Sequence, residues 1–323
     1  MLKYAVIGRN FIVDWFLEAA CTFPDLYFYG VYSRNSETAA EYAKKHGAEK
    51  IYTLIEDICS DKNVDFVYIA SPNLCHKEQA EMLLKAGKHV LCEKPAVLSE
   101  KDFLHLSDIA KRNNAVFMEA TVPLHMPAFS EIKKLLPTLG KINAIDFTFC
   151  QYSSRYDRFK AGIMTNTFDP TLGNGSLMDL GIYCIEMLCA LFGYPEEVSG
   201  SAVFLPESID AVSSLVCRYN DKIAKITASK VCDSAVPSQI QGENACLTID
   251  KMSRPKIIRL YKKGLETAAF DLSSPRPDMA YEIENFIRQI SGEHTDYYNN
   301  ISLMSIKLCD KAREKLGIDF KKR

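Results

Sequence analysis

The chain contains no C-x-x-C pair and no cysteine–histidine grouping at zinc-ligand spacing, which leaves no metal site to read from it. Its eleven cysteines, an odd number scattered from Cys21 to Cys309, read instead as reduced core residues of a cytoplasmic protein. Nor is there an excess of one charge. The 39 basic and 41 acidic residues are well mixed and leave a formal net charge of -2, so neither a nucleic-acid footprint nor a basic membrane-binding stripe is present. No stretch reads as a secretory signal or as long enough to span a membrane, and Met1-Leu2-Lys3-Tyr4 runs straight into an apolar strand. The expectation is therefore a protein with no membrane attachment. Internal repeats, low-complexity segments and long linkers are missing too. What remains is ordinary globular composition, 47% hydrophobic and 25% charged. At 323 residues the chain exceeds the size at which one hydrophobic core keeps growing, so two domains and a small-molecule partner are expected.

Up to about residue 118, short β-rich apolar runs (4–7, 26–32, 66–70, 89–92, 116–118) alternate with amphipathic helical patterns (36–46, 77–86, 100–112). That alternation predicts βαβ units and a parallel sheet. Gly47 and Gly87 stand where helices should end, and Ser36 and Ser99 where they should begin. Beyond 120 the texture changes. A helix near 128–136, a strand near 142–152 and an irregular polar stretch to 174 lead into a helix over 176–192. Five β-type runs follow (198–204, 211–219, 224–231, 245–249, 256–261), then two closing helices near 279–290 and 303–316. The predicted fold is thus α/β: a doubly wound parallel sheet of Rossmann type in residues 1–120, then an α+β domain with a large, mostly antiparallel sheet in 121–323.

The first strand runs into Gly8-Arg9-Asn10-Phe11-Ile12-Val13 and a helical run, the place for a G-x-G-x-x-G phosphate-binding turn. Only the first glycine is there. Asn10 replaces the second and Val13 the third; asparagine tolerates left-handed backbone angles, so the turn is read as preserved, with Gly8, Asn10, Phe11 and Ile12 about a pyrophosphate. The second strand ends Tyr32-Ser33-Arg34-Asn35, without the acid that would chelate a ribose 2'-hydroxyl. Arg34, beside Ser33, offers a permanently charged fork suited to a 2'-phosphate, which points to NADP, with NAD as the alternative.

Glu93-Lys94-Pro95 at the end of the fifth strand and Ser71-Pro72-Asn73-Leu74-Cys75-His76 at the end of the fourth resemble the strand ends of the Gfo/Idh/MocA oxidoreductase family. Gly173-Asn174-Gly175-Ser176-Leu177-Met178-Asp179-Leu180-Gly181-Ile182-Tyr183 is similar to that family's second motif, with Tyr183 where many members carry histidine. Tyrosine there resembles the branch of dimeric dihydrodiol dehydrogenase and D-xylose dehydrogenase. One departure is Val122-Pro123-Leu124-His125, where the dihydrodiol branch usually has Trp-Thr-Arg, so that branch's substrate is not carried over. The resemblance implies that Ser71, Pro72, Asn73, His76 and Glu93 line the cofactor, with Lys94 beside the nicotinamide.

Moving a hydride between a nicotinamide and an alcohol carbon needs a group that takes or returns the hydroxyl proton. A phenol is a poor base at neutral pH unless a nearby ammonium favours the phenolate. Lys94 and Tyr183 are the expected acid/base pair on a sugar, polyol or cyclic diol. Asp179, four residues before Tyr183, either shares its helix face and serves the substrate, or completes a capping box with Ser176. The polar stretch 151–157 reads as a polyol-binding loop or an ordinary surface loop, and His76 and His125 as cleft or loop residues, not metal ligands. A homodimer or higher homo-oligomer is expected. The alternative function is a non-catalytic dinucleotide-sensing regulator on the same fold.

Overall fold

The computed structural model describes residues 1–293 and 295–320. Six strands, β1 (Leu2–Ile7), β2 (Leu26–Tyr32), β3 (Lys50–Tyr52), β4 (Phe66–Ile69), β5 (His89–Glu93) and β6 (Phe117–Ala120), form one all-parallel sheet in the order β3-β2-β1-β4-β5-β6. Every residue of the central β4 is buried, as expected for a strand covered on both faces, and so is every residue of β6, although it lies at the sheet edge. The strand order reverses between β1 and β4. Ligands of open α/β sheets bind outside the carboxyl ends at such a switch point.

This first unit comprises Met1–Ala120 together with Pro275–Asn300. The division at residue 120 read from the change of pattern therefore leaves out a returning segment. Its helix, Ala280–Ile290, sets Phe286 edge-on against Phe66 at 5.4 Å, and Asn299 donates to the Phe117 carbonyl at 2.9 Å. An aromatic stack continues the core, with Phe16 over Tyr68 at 3.8 Å and Tyr4 over Phe66 at 5.1 Å. Helix ends follow local chemistry. Asn35, one residue earlier than the expected Ser36, caps Ser36–His46 through the Thr38 N–H, and Ser99 caps Glu100–Arg112 through the Asp102 N–H.

The second unit comprises Thr121–Ser274 and the chain from Ile301. Its strands are β7 (Ile142–Cys150), β8 (Glu197–Phe204), β9 (Asp210–Arg218), β10 (Ile223–Ser229), β11 (Ser238–Gly242), β12 (Cys246–Ile249), β13 (Ile257–Lys262) and β14 (Leu265–Asp271). They form one sheet, β14-β13-β12-β11-β7-β10-β9-β8, antiparallel except where β7 and β10 run together. Burial alternates along β9 and β10, with Leu215, Cys217, Ala224 and Ile226 on the covered side and Val216, Ile223 and Lys225 on the open side. The helix Ile182–Phe192 packs on β7 and β10. Residues 170–192 do have the length and apolar character of a membrane span, contrary to the expectation from sequence. Their most apolar window is 72% buried inside the protein, as befits a core helix.

Candidate functional site

In the first unit the candidate residues gather at the carboxyl ends of β1, β2, β4 and β5. Gly8 has φ +122°, and a Cβ there would lie 2.6 Å from the Ala70 carbonyl oxygen, so the turn admits no side chain. Asn10 is not left-handed: its φ is -90° and ψ 175°. It serves as the N-cap of the helix Phe11–Ala20. Its Oδ1 accepts the N–H groups of Ile12 (3.1 Å) and Val13 (3.3 Å), and its Nδ2 donates to the Ala70 carbonyl at 3.2 Å. The asparagine replaces the second glycine because it stitches the turn to β4, not because it tolerates unusual angles. Phe11 and Trp15, the chain's one tryptophan, form an exposed edge-on pair at 5.0 Å on the same helix.

At the tip of β2, Ser33 is buried and Arg34 exposed, and residues 33–36 include no acid. Beyond β4, the Ser71 hydroxyl donates to Gln79 (2.7 Å), Pro72 precedes the helix, and Asn73 is the first residue of Asn73–Lys85. His76 is buried behind these loops. Its Nδ1 lies 2.9 Å from the Pro95 carbonyl and its Nε2 2.8 Å from the Ser71 carbonyl, so the ring fills the space between the β4 and β5 loops and, when neutral, donates to one of the two carbonyls. Burial pushes its pKa below the ordinary histidine value, outweighing the two carbonyls. At the tip of β5, Glu93 accepts the Tyr68 hydroxyl at 2.5 Å, Lys94 is half-buried, and the Lys94–Pro95 peptide is cis. The buried Glu119 accepts the Ala96 N–H at 2.7 Å and pins the loop from the other side. Tyr68 and Glu119 were not foreseen. A hydroxyl and a carboxylate inside otherwise apolar buried strands were the available signal.

In the second unit, Leu177–Gly181 winds as a π turn before the helix Ile182–Phe192. Such wide turns recur at functional sites. Within residues 175–189 every residue is buried except Asp179 and Tyr183. Asp179 does not close a capping box: Ser176 makes no cap, and the Leu177 N–H goes to the buried Asp210 of β9 at 2.8 Å. Asp210 also accepts the Ser176 and Ser213 hydroxyls, and burial raises its pKa. Gly175 has no room for a side chain, since a Cβ would fall 1.8 Å from Asp210 Oδ1. Asp179 Oδ2 instead accepts the Lys230 ammonium at 2.7 Å, a partner no pattern had suggested. The Tyr183 ring lies 5.6 Å from that of Phe149 on β7.

The polar stretch 151–157 adjoins Lys230, whose carbonyl accepts the Ser153 N–H at 2.9 Å. Tyr152 and Asp157 hydrogen-bond to each other and to Lys160, the last two on the short helix Tyr156–Lys160. His125 is buried, with Nε2 3.4 Å from the Thr121 hydroxyl. Burial pushes its pKa from 6.5 to about 3. The unfolded chain therefore binds a proton below about pH 6.5 that the folded chain refuses until about pH 3, so stability present above that window is lost as pH falls through it. Urea midpoints are expected to decline between pH 7 and pH 4, and His125→Leu to flatten the decline. An unchanged slope in the variant would reject this assignment. Among the described residues no group of three His, Cys, Asp or Glu side chains is arranged to hold a metal.

A family model described as the oxidoreductase family with an NAD-binding Rossmann fold matches residues 2–121, and a GFO/IDH/MocA C-terminal domain model matches residues 129–248. The chain belongs to the GFO/IDH/MocA oxidoreductase family. As a GFO/IDH/MocA member it is an NAD(P)-dependent oxidoreductase, and the glycine turn, the arginine at the β2 tip and the two loops after β4 and β5 fit a dinucleotide. It is 39% identical to the scyllo-inositol 2-dehydrogenase (NADP(+)) of Bacillus subtilis, over 99% of this chain and 98% of that one. It is 25% identical to the trans-1,2-dihydrobenzene-1,2-diol dehydrogenase of Xenopus tropicalis, over 98% and 99% of the two chains, in keeping with the branch read from Tyr183. The crystal structure of a 3-ketoreductase from Actinomadura kijaniata with NADP and TDP-benzene shares the fold of this GFO/IDH/MocA chain. The TM-score is 0.87 at 20% identity, covering 98% of each chain.

Proposed function

We propose that this protein is an NADP-dependent dehydrogenase that moves a hydride between the nicotinamide and a hydroxyl-bearing carbon of a cyclic polyol or sugar. Lys94 and Tyr183 are its acid/base pair, and Asp179 receives a neighbouring substrate hydroxyl. The observation that carries the reading is the pair of half-exposed polar side chains, Asp179 and Tyr183, in a segment where everything else is buried. Full-length similarity to an NADP-dependent inositol dehydrogenase supports the substrate class.

The bound nicotinamide supplies the hydride acceptor or donor. In the oxidising direction, Tyr183 as phenolate takes the substrate's hydroxyl proton; in reduction, the phenol returns it. Lys94 favours the phenolate by its charge. Gly8, Asn10, Phe11 and Ile12 shape the pyrophosphate turn, Ser33 and Arg34 receive the 2'-phosphate, and Ser71, Pro72, Asn73 and Glu93 flank the nicotinamide. His76 acts from behind by filling the space between the two loops. The same reading has the enzyme in the cytoplasm, where its eleven free cysteines stay reduced, and as a homo-oligomer through the open face of β9 and β10.

The test is absorbance at the reduced-nicotinamide band with scyllo-inositol and a sugar panel. Wild type is expected to prefer NADP. Arg34→Ala should raise KM for NADP by roughly 10- to 100-fold, the worth of a charge-assisted contact, and leave KM for NAD unchanged. Absence of turnover with every compound would leave the non-catalytic, dinucleotide-sensing alternative.

A further inference from the structure

Lys230 follows the end of β10 and is 1% exposed. Taking an ammonium out of water is costly unless partners replace the solvent. Here the Nζ donates to Asp179 Oδ2 at 2.7 Å and to the Thr167 carbonyl at 3.0 Å, and it lies 5.3 Å from the centre of the Phe168 ring. The backbone beneath it is held as well, since the Lys230 N–H donates to the Ala211 carbonyl at 2.9 Å. The pair is asymmetric. The Lys230 side chain is sealed at 2% exposure, whereas the Asp179 side chain keeps 34%. A buried cation thus holds one oxygen of a carboxylate that is itself about one-third exposed.

Stability alone does not account for this arrangement. Well-packed apolar residues commonly replace a buried ion pair with no loss, and a methionine at 230 would keep the contact with Phe168. We propose that Lys230 is a positioning residue for substrate binding. It holds the Asp179 carboxylate in place as the acceptor for a substrate hydroxyl, and it ties the short turn Asn166–Phe168 to the helix that carries Asp179 and Tyr183. Three segments 51 and 63 residues apart are joined through one ammonium. The assignment rests on the dehydrogenase reading above and names the part of the second unit that recognises the polyol.

The test is steady-state kinetics with NADP and scyllo-inositol on wild type, Lys230→Met, Lys230→Arg, Asp179→Asn and the Lys230→Met/Asp179→Asn double variant. Trp15 fluorescence during NADPH titration checks that the first unit is intact. Lys230→Met is expected to raise KM for the polyol by about tenfold or more, the scale of a lost charged hydrogen bond, with a smaller change in kcat. Lys230→Arg should recover part of the loss. In the Asp179→Asn background the methionine should add less than about twofold, because the partner through which Lys230 acts is already gone. If Lys230→Met does not fold, Lys230→Gln, a neutral donor of similar length, is expected to show the same rise. A KM at the wild-type value in the methionine or glutamine variant would overturn the assignment, as would an equal cost in both backgrounds, which a merely structural lysine would give. A wild type inert toward every polyol would overturn the dehydrogenase reading and this assignment together. An active wild type with insensitive Lys230 variants would overturn this assignment alone.

Discussion

Lys94→Met is expected to bind NADPH with nearly wild-type affinity while losing turnover by about 10²- to 10⁴-fold, the range that a positioned proton-transfer group contributes. The expectation is sharp because the loop around Lys94 is held by contacts that do not involve its side chain. His76 reaches the Pro95 carbonyl, Glu119 takes the Ala96 N–H, and Tyr68 donates to Glu93. Replacing the ammonium side chain with the apolar thioether of methionine therefore removes the charge and keeps those three contacts. Stopped-flow single turnovers with saturating NADP separate binding from chemistry. Full turnover in this variant would remove Lys94 from the mechanism.

Tyr183→Phe should lose turnover on the same scale, about 10²- to 10⁴-fold, with the polyol still bound. The substitution deletes one oxygen, and the ring that packs against Phe149 persists. Far-UV circular dichroism and the melting temperature report whether the helix is undisturbed. The decisive measurement is the double variant. Two groups that serve one proton are strongly non-additive, so Lys94→Met/Tyr183→Phe should be little worse than either single change. Losses that multiply would mean that the two residues act on separate steps.

The structure also shows where reading from residues succeeded and where it stopped. Six of the second sheet's eight strands carry enough apolar residues to be read from sequence, yet β11 and β14 escaped. Ser238-Gln239-Ile240-Gln241-Gly242 has a single large apolar residue, and β14 is an edge strand that exposes Leu265 and carries acids at Glu266 and Asp271. Period-2 signals fade when a strand's neighbours supply its cover. Asn10 was singled out for the right position and the wrong reason. A side-chain cap and a left-handed backbone are both asparagine habits, and only the φ of -90° distinguishes them. The segment 275–300 was assigned with its neighbours in sequence, because nothing in an amphipathic helix names the sheet it will cover.

What the amino-acid order determined alone is local and periodic. The alternation of buried strands with amphipathic helices sets the parallel sheet, and the residues at strand ends share one rim because parallel strands all point the same way. Tertiary structure alone decided the pairings between polar groups far apart in the chain: Lys230 with Asp179, Asp210 with the Leu177 N–H, and His76 with the Pro95 carbonyl. A buried charge must find a partner, but which one it finds depends on which strands and helices become neighbours, and no repeat along the chain records that choice.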